Sequence, residues 1–142
     1  MIILLSIIFF FIILRFAVTL FNFISNPKLR RVVRHYQDKV SILIPARNEA
    51  NRIMNLLESI DEQDYANYEV IILDDDSADK TYELCMAYAS THPAFKVIKG
   101  KPLQDGWLGK NFACHQLAKQ ATGKYLLFLD ADEEIELSLI HI

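Results

Sequence analysis

The sequence predicts an α/β domain built on a mainly parallel sheet and preceded by one transmembrane helix. Three features lead there. The first 24 residues are almost wholly apolar, the chain behind them alternates short β-rich runs with helical periodicities, and the main polar clusters follow strands. Alternating strands and helices fold as right-handed crossovers, which lay the strands parallel and put helices on both faces.

Residues 2–24 interrupt their apolar run only with Ser6, Arg15, Thr19 and Asn22 as clearly polar positions. About 20 such residues span a bilayer core as a helix, and Arg15 lies where a long side chain can snorkel toward an interface. A cleaved signal peptide would start basic and end at a small-residue site. Here the first charged side chain is Arg15, and "FNFISNP" has no A-x-A pattern. Residues 1–24 are therefore expected to be an uncleaved anchor. Lys28, Arg30, Arg31 and Arg34 follow in a basic linker, residues 25–39. The positive-inside rule then predicts a single-pass protein of the cell membrane whose domain faces the cytoplasm. The same basic run suits anionic head groups.

The domain begins with "VSILI" (40–44), a short β-rich run. "NEANRIMNLLESIDEQ" (48–63) carries Ile53, Leu56, Leu57 and Ile60 at helical spacing. "YEVIIL" (68–73) reads as a second strand, and "DKTYELCMAYAS" (79–90) as a second helix with Asp79 as N-cap. "FKVIK" (95–99) is a third strand. "GKNFACHQLAKQA" (109–121) is a third helix, with Gly123 in the C-terminal capping position. "KYLLFL" (124–129) is a fourth strand, apolar enough to be buried on both faces.

The net charge of −3 conceals a basic linker and an acidic remainder. No basic stripe accompanies the domain, which argues against a nucleic-acid partner. Cys85 and Cys114 lack metal-ligand spacing and read as plain thiols on helix faces.

Three polar clusters follow strands: "PARNE" (45–49), "DDDSAD" (74–79) and "DAD" (130–132). All three belong on the carboxyl edge of one sheet, where open α/β folds bind ligands. Asp130 and Asp132, two residues apart, fall on one side of an extended strand and can offer oxygens to one Mg²⁺ or Mn²⁺ ion. The plain alternative is a solvated turn; three coincident clusters favour a site. "IPARNEANR" contains neither G-x-G-x-x-G nor a P-loop, so a phosphorylated ligand would need a metal to neutralise it.

Together "VSILIPARNEANRI", "VIILDDDSADKT" and "GKYLLFLDAD" resemble the first half of a family 2 glycosyltransferase of GT-A fold, a Rossmann-like, mainly parallel sheet. The family's P-x-x-N-E, D-D-x-S-x-D-x-T and D-x-D patterns occur in order. The G-W-x-G-K segment within "DGWLGKNFACHQLAKQ" is similar to membrane-anchored bacterial enzymes that glycosylate carotenoid acids and related polyisoprenoid lipids. The resemblance covers residues 1 to about 136. It implies that residues 40–136 are the nucleotide-sugar-binding half of the domain. Pro45, Arg47, Asn48 and Glu49 would border the nucleotide, and Asp75 would read the uracil edge of a UDP-sugar. Lys110 and Asn111 would open a helix near the diphosphate, with Asp130 beside it. Asp130 and Asp132 would hold Mg²⁺ or Mn²⁺. Asp74 would brace its loop, Asp76 stands where the family has glycine or a small polar residue, and Asp79 and Thr81 would cap the helix. Trp107 would line the pocket or pack under the loop, and His115 would be structural. The implied reaction is inverting transfer of a sugar to a lipid or carotenoid-type acceptor at the membrane. The family's catalytic base lies well beyond the D-x-D, so none of these residues is expected to be it, and this chain alone is expected to be inactive.

Two other readings stand beside this one. A non-catalytic, membrane-tethered nucleotide-sugar-binding module would share every motif above. A nucleotidyltransferase would share the sheet and the metal, but would show a glycine-rich loop where "PARNEAN" stands. Finally, Leu137–Ile142 can be written CTG TCT CTT ATA CAC ATC, the mosaic end of a transposon used in sequencing libraries. Residues 137–142 are therefore expected to be an adapter-derived tail.

Overall fold

The computed structural model describes residues 2–25 and 37–133. The basic residues from Lys28 to Arg34, the end of the expected domain at 134–136 and the tail at 137–142 lie outside the described residues. The chain divides into two compact units, residues 1–32 and 33–142.

In the first unit, α1 (Ile2–Ser25) is one continuous helix with no buried residue. Its apolar side chains are distributed all round rather than along one face. It is long and apolar enough to cross a membrane. Its hydroxyls satisfy themselves internally: Ser6 donates to the Ile2 carbonyl, Thr19 to Arg15 and Ser25 to Phe21, each one turn back. That arrangement leaves no hydroxyl of the helix needing an outside partner.

The second unit contains β1 (Val40–Ala46), α2 (Ile53–Asp61), β2 (Tyr68–Asp74), α3 (Thr81–Thr91), β3 (Phe95–Lys99), α4 (Gly109–Gln120) and β4 (Tyr125–Phe128). The four strands form one sheet in the order β3-β2-β1-β4, and every pairing is parallel. The expected α/β class is therefore the observed one. Alternation sends Ile42, Ile44, Val70 and Ile72 to one face, against Ile53, Leu56, Leu57 and Ile60 of α2 and Cys85 of α3. Leu43, Ile71 and Leu73 face the other way, against Ala113 and Leu117 of α4. Two crossovers thus cover one face and the third covers the other, which puts the topological switch point between β1 and β4.

Pro45 shapes that point. Leu43 turns its carbonyl toward β4, accepting from the Leu129 N–H at 3.1 Å. Two residues on, Pro45 faces the same way without an N–H to give, and the β1–β4 ladder stops at Leu43–Phe128. On its other side β1 continues with β2 to Ala46–Asp74. The strands part where a ligand would enter.

Three local expectations change. The helix expected over 48–63 begins only at Ile53. Asn48 has φ +57, outside helical space, because the amides of residues 48–50 are held by the loop after β2. Gly123 is not a left-handed cap: α4 ends at Gln120, and its C-cap Ala121 is already extended at ψ 139. Gly123 is required for close approach, since a Cβ there would lie 2.6 Å from the Ser41 nitrogen and 2.8 Å from the Lys39 carbonyl oxygen. And β4 is not buried on both faces, being an edge strand with Tyr125, Leu126 and Phe128 about half exposed. Both cysteines are free thiols on helices, as expected. Burial first, then the charges of Asp74 and Asp79, push Cys85 up to about 12.

Candidate functional site

The carboxyl edge of the sheet carries two polar groupings, one on each side of the switch point. On the β1–β2 side the loops after the two strands are knitted together. The Asn48 N–H donates to Ser77 Oγ (3.1 Å), and Asn48 Oδ1 accepts from the Ala78 N–H (2.8 Å). The Glu49 N–H donates to Thr81 Oγ1 (2.8 Å), and the Ala50 N–H to Asp79 Oδ2 (3.1 Å). Asp79 Oδ1 takes both the N–H and the hydroxyl of Thr81. The Thr81 hydroxyl is the leading cause of a lowered Asp79 pKa, opposed by desolvation. The helix expected from Asp79 begins at Thr81, with Lys80 at the N-cap position and no side-chain cap there. Asp79, one residue earlier, accepts the Thr81 N–H and holds the neighbouring loop as well.

Asp75 emerges from this frame. Its N–H donates to the Ala46 carbonyl at 2.9 Å, so its backbone is fixed to the end of β1. Its carboxylate lies over Gly100, where a Cβ would come within 3.3 Å of Asp75 Oδ1. Asp76 follows at φ +59, which explains why the family pattern favours glycine there. Asp74 is buried, with its Oδ1 lacking a hydrogen-bond partner among the described residues, and its backbone carbonyl accepts the Gly100 N–H at 2.8 Å. Arg47 and Asn48 are exposed on the bend after β1, while Pro45 and Glu49 are half-buried. The Glu49 carbonyl accepts from Arg52 and Ile53 and so starts α2.

On the β4 side the geometry differs from the expectation. Pairing ends at Phe128, and Asp130–Glu133 is a turn closed by the Glu133 N–H on the Asp130 carbonyl at 3.2 Å. Asp130 and Asp132 are therefore arranged by a turn, not by strand alternation. Ala131 between them is buried in the core against α2. Lys110 Nζ meets both oxygens of Asp130, at 2.7 and 2.9 Å, and that hydrogen bond raises the lysine's pKa. Arg52 Nη1 stands 3.6 Å from Asp132 Oδ2. Arg52, Asn55, Asp132 and Glu133 line an open pocket of about 340 Å³. Leu108 gives α4 no side-chain cap, leaving its first amides available at the same edge as Lys110. Trp107 packs beside Phe112 and His115, with ring centroids 5.5 and 4.8 Å away, which gives His115 a structural neighbour.

Asp130 and Asp132 are the carboxylates here that could serve a divalent cation as hard oxygen donors. Two hard carboxylates lie at one strand end, and each already draws a side-chain cation. No group of three or more metal-ligating side chains occurs among the described residues, so further ligands would come from substrate and water. Sequence reasoning missed Ser77, Gly100 and Arg52. The alternation S-x-D-x-T was the available signal for Ser77. Nothing local marks Gly100 or Arg52, because their partners are distant in sequence.

A parallel sheet with this strand order and switch point is an α/β domain of the GT-A type. The family profile described as Glycosyl transferase family 2 matches residues 41–141, and the chain belongs to that family. It is 37% identical over 98 residues to 4,4'-diaponeurosporenoate glycosyltransferase of Staphylococcus haemolyticus, covering 68% of this chain and 24% of that protein. Mannosyltransferase PcManGT from Pyrobaculum calidifontis, solved with GDP-Man and Mn²⁺, superposes with a TM-score of 0.66 at 27% identity, over 80% of this chain and 34% of the other. S. aureus TarS 1–349 with UDP-GlcNAc superposes at 0.58 and 31% identity, over 70% of this chain and 28% of the other. The chain spans about a quarter of the length of the curated relatives it matches.

Proposed function

We propose that this chain forms the donor-binding part of a membrane-tethered glycosyltransferase. It would take a sugar from a nucleotide-diphosphate sugar, most simply a UDP-sugar, for a lipid or carotenoid-type acceptor at the cytoplasmic face. The observation that carries the reading is the placement of Asp75 on one side of the β1–β4 switch point and the Lys110–Asp130 pair on the other. A nucleotide laid across that crevice meets a base-reading carboxylate at one end and cationic groups at the other.

Asp75 accepts the imide N–H of uracil; guanine, a ring longer, carries its own N–H donors farther from the ribose, out of register with that carboxylate. Pro45, Arg47 and Glu49 border the nucleotide from the β1 loop. Lys110 and the uncapped amides of α4 receive the diphosphate, since a helix amino terminus favours anions. Asp130 and Asp132 would hold Mg²⁺ or Mn²⁺, which when bound would offset charge on the departing diphosphate. Lys110, exposed and paired with Asp130, lies at the same edge to meet a phosphate oxygen. Inversion follows from direct attack by an acceptor hydroxyl or carboxylate oxygen, with its base outside the described residues. The name of the staphylococcal relative supports a carotenoid acid as acceptor, and α1 supports delivery at a membrane. GDP-Man and UDP-GlcNAc in the neighbours make the base the point to test.

The test uses the full-length protein and follows Mn²⁺ binding with and without UDP. Nucleotide should tighten the metal site and metal the nucleotide, by the same factor. Asp132→Asn should remove that coupling with the fold intact. Asp75→Ala should weaken UDP by about 1–3 kcal/mol and reduce its preference over GDP. Unchanged coupling in the first variant would leave the D-x-D as a plain turn; unchanged preference in the second would remove Asp75 from base reading.

A further inference from the structure

We infer that Asn48, Ser77, Asp79 and Thr81 are positioning residues, forming a brace between the β1 and β2 loops that sets the Asp75 carboxylate for base selection. The inference rests on the reading of Asp75 given above. It replaces two simpler roles: nucleotide contact for Asn48 and helix capping for Asp79 and Thr81.

Four hydrogen bonds cross between the loops, at 2.8–3.1 Å, and each joins a backbone amide to a side-chain oxygen. Three consecutive amides after β1, those of Asn48, Glu49 and Ala50, give their protons to Ser77, Thr81 and Asp79. The fourth bond returns from Ala78 to Asn48. Thr81 is fully buried. Its hydroxyl accepts from Glu49 and donates to Asp79, so one small side chain joins β1, β2 and the start of α3. Asn48 and Asp76 both adopt left-handed φ, at +57 and +59. Non-glycine residues keep such angles only where surroundings over-determine them, and the brace supplies that determination for Asn48. Asp75 sits beside Asp76, between the β1 tie at Ala46 and the brace at Ser77. Its carboxylate direction therefore depends on both fixtures.

A brace that only stabilised the fold would change how much protein is folded. One that sets Asp75 would change which base the folded protein prefers. The ratio of UDP to GDP affinity is independent of the folded fraction and separates the two. In the full-length protein, titrated with each nucleotide, Thr81→Val keeps the shape and removes both hydroxyl bonds. UDP affinity should fall on the order of tenfold, the scale of one misdirected charge-assisted hydrogen bond, while GDP affinity changes far less. Thr81→Ser should restore the ratio. Asn48→Gly keeps the left-handed angle but removes the Oδ1 acceptor, and should lower the ratio in the same direction by less; it carries the test alone if Thr81→Val fails to fold. A wild-type ratio in both Thr81→Val and Asn48→Gly, with Asp75→Ala still lowering it, would overturn the brace and leave Asp75 in place. A wild-type ratio in Asp75→Ala would instead overturn the base-reading role on which the brace depends.

Discussion

Glu69 and Asp130 are both carboxylates paired with a lysine on the same sheet, yet they sit at opposite ends and in opposite circumstances. Glu69, at the amino end, is mostly covered, its side chain 20% exposed. It takes Ser41 Oγ at 2.6 Å, the Thr122 N–H at 2.7 Å, the Thr122 hydroxyl at 2.8 Å and Lys39 Nζ at 3.0 Å. Ser41 in turn accepts the Gly123 N–H at 2.8 Å. Burial alone would raise the Glu69 pKa, but the hydrogen bonds outweigh it and lower it from 4.5 to about 2. Asp130, at the carboxyl end, has a half-exposed side chain and meets an exposed lysine. A carboxylate ringed by donors from two other segments, at Lys39–Ser41 and at Thr122, holds the chain together. One held by an exposed surface cation keeps its oxygens ready for exchange, because exposed ion pairs are weak.

The contrast can be broken first at Gly123. A Cβ there would press on the backbone of β1 at 2.6–2.8 Å, so Gly123→Ala should cost about 3 kcal/mol, at the upper range of overpacking penalties. Denaturant unfolding checks this, and a cost near zero would mean that β4 can move away freely. Next comes Glu69→Gln, which keeps the shape but weakens charge-assisted bonds and should cost about 2 kcal/mol. Asp130→Asn should stay within about 0.5 kcal/mol of wild type in the same measurement, while reducing the coupling of Mn²⁺ to UDP. Equal destabilisation by the two variants would erase the distinction.

The pH dependence sharpens it. Because the folded Glu69 pKa is depressed, its contribution is present above 4.5 and is lost as pH falls toward about 2. Unfolding free energy measured across that window should decline in the wild type and decline less in Glu69→Gln. The smallest effect is expected at Lys110. Lys110→Met removes the cation on Asp130, so Mn²⁺ alone should bind a few-fold tighter while UDP binds more weakly. Added salt should narrow the difference, as for any exposed pair. Weaker binding of both ligands would make Lys110 a simple support for the turn.

The sequence by itself determined the class of fold, the order of elements and the edge on which the polar motifs gather. Those follow from local periodicity: Ile53, Leu56, Leu57 and Ile60 bury one helix face, and the β1 and β2 runs can only be central parallel strands. The family was legible too, since its three motifs are short and contiguous. The tertiary structure decided what each polar residue does. Asn48 reads as a loop residue bordering a ligand until Ser77 and Ala78, some 30 positions away, are seen to hold it. Asp79 and Thr81 read as a cap until the amides of Glu49 and Ala50 arrive. Gly123 reads as a helix terminator until β1 passes within contact of it. The physical reason is common to all three. A hydrogen bond or a steric limit depends on which atoms come within a few ångströms, and the crossovers that bring β1, β2 and β4 side by side set those distances. The spacing of residues along the chain does not.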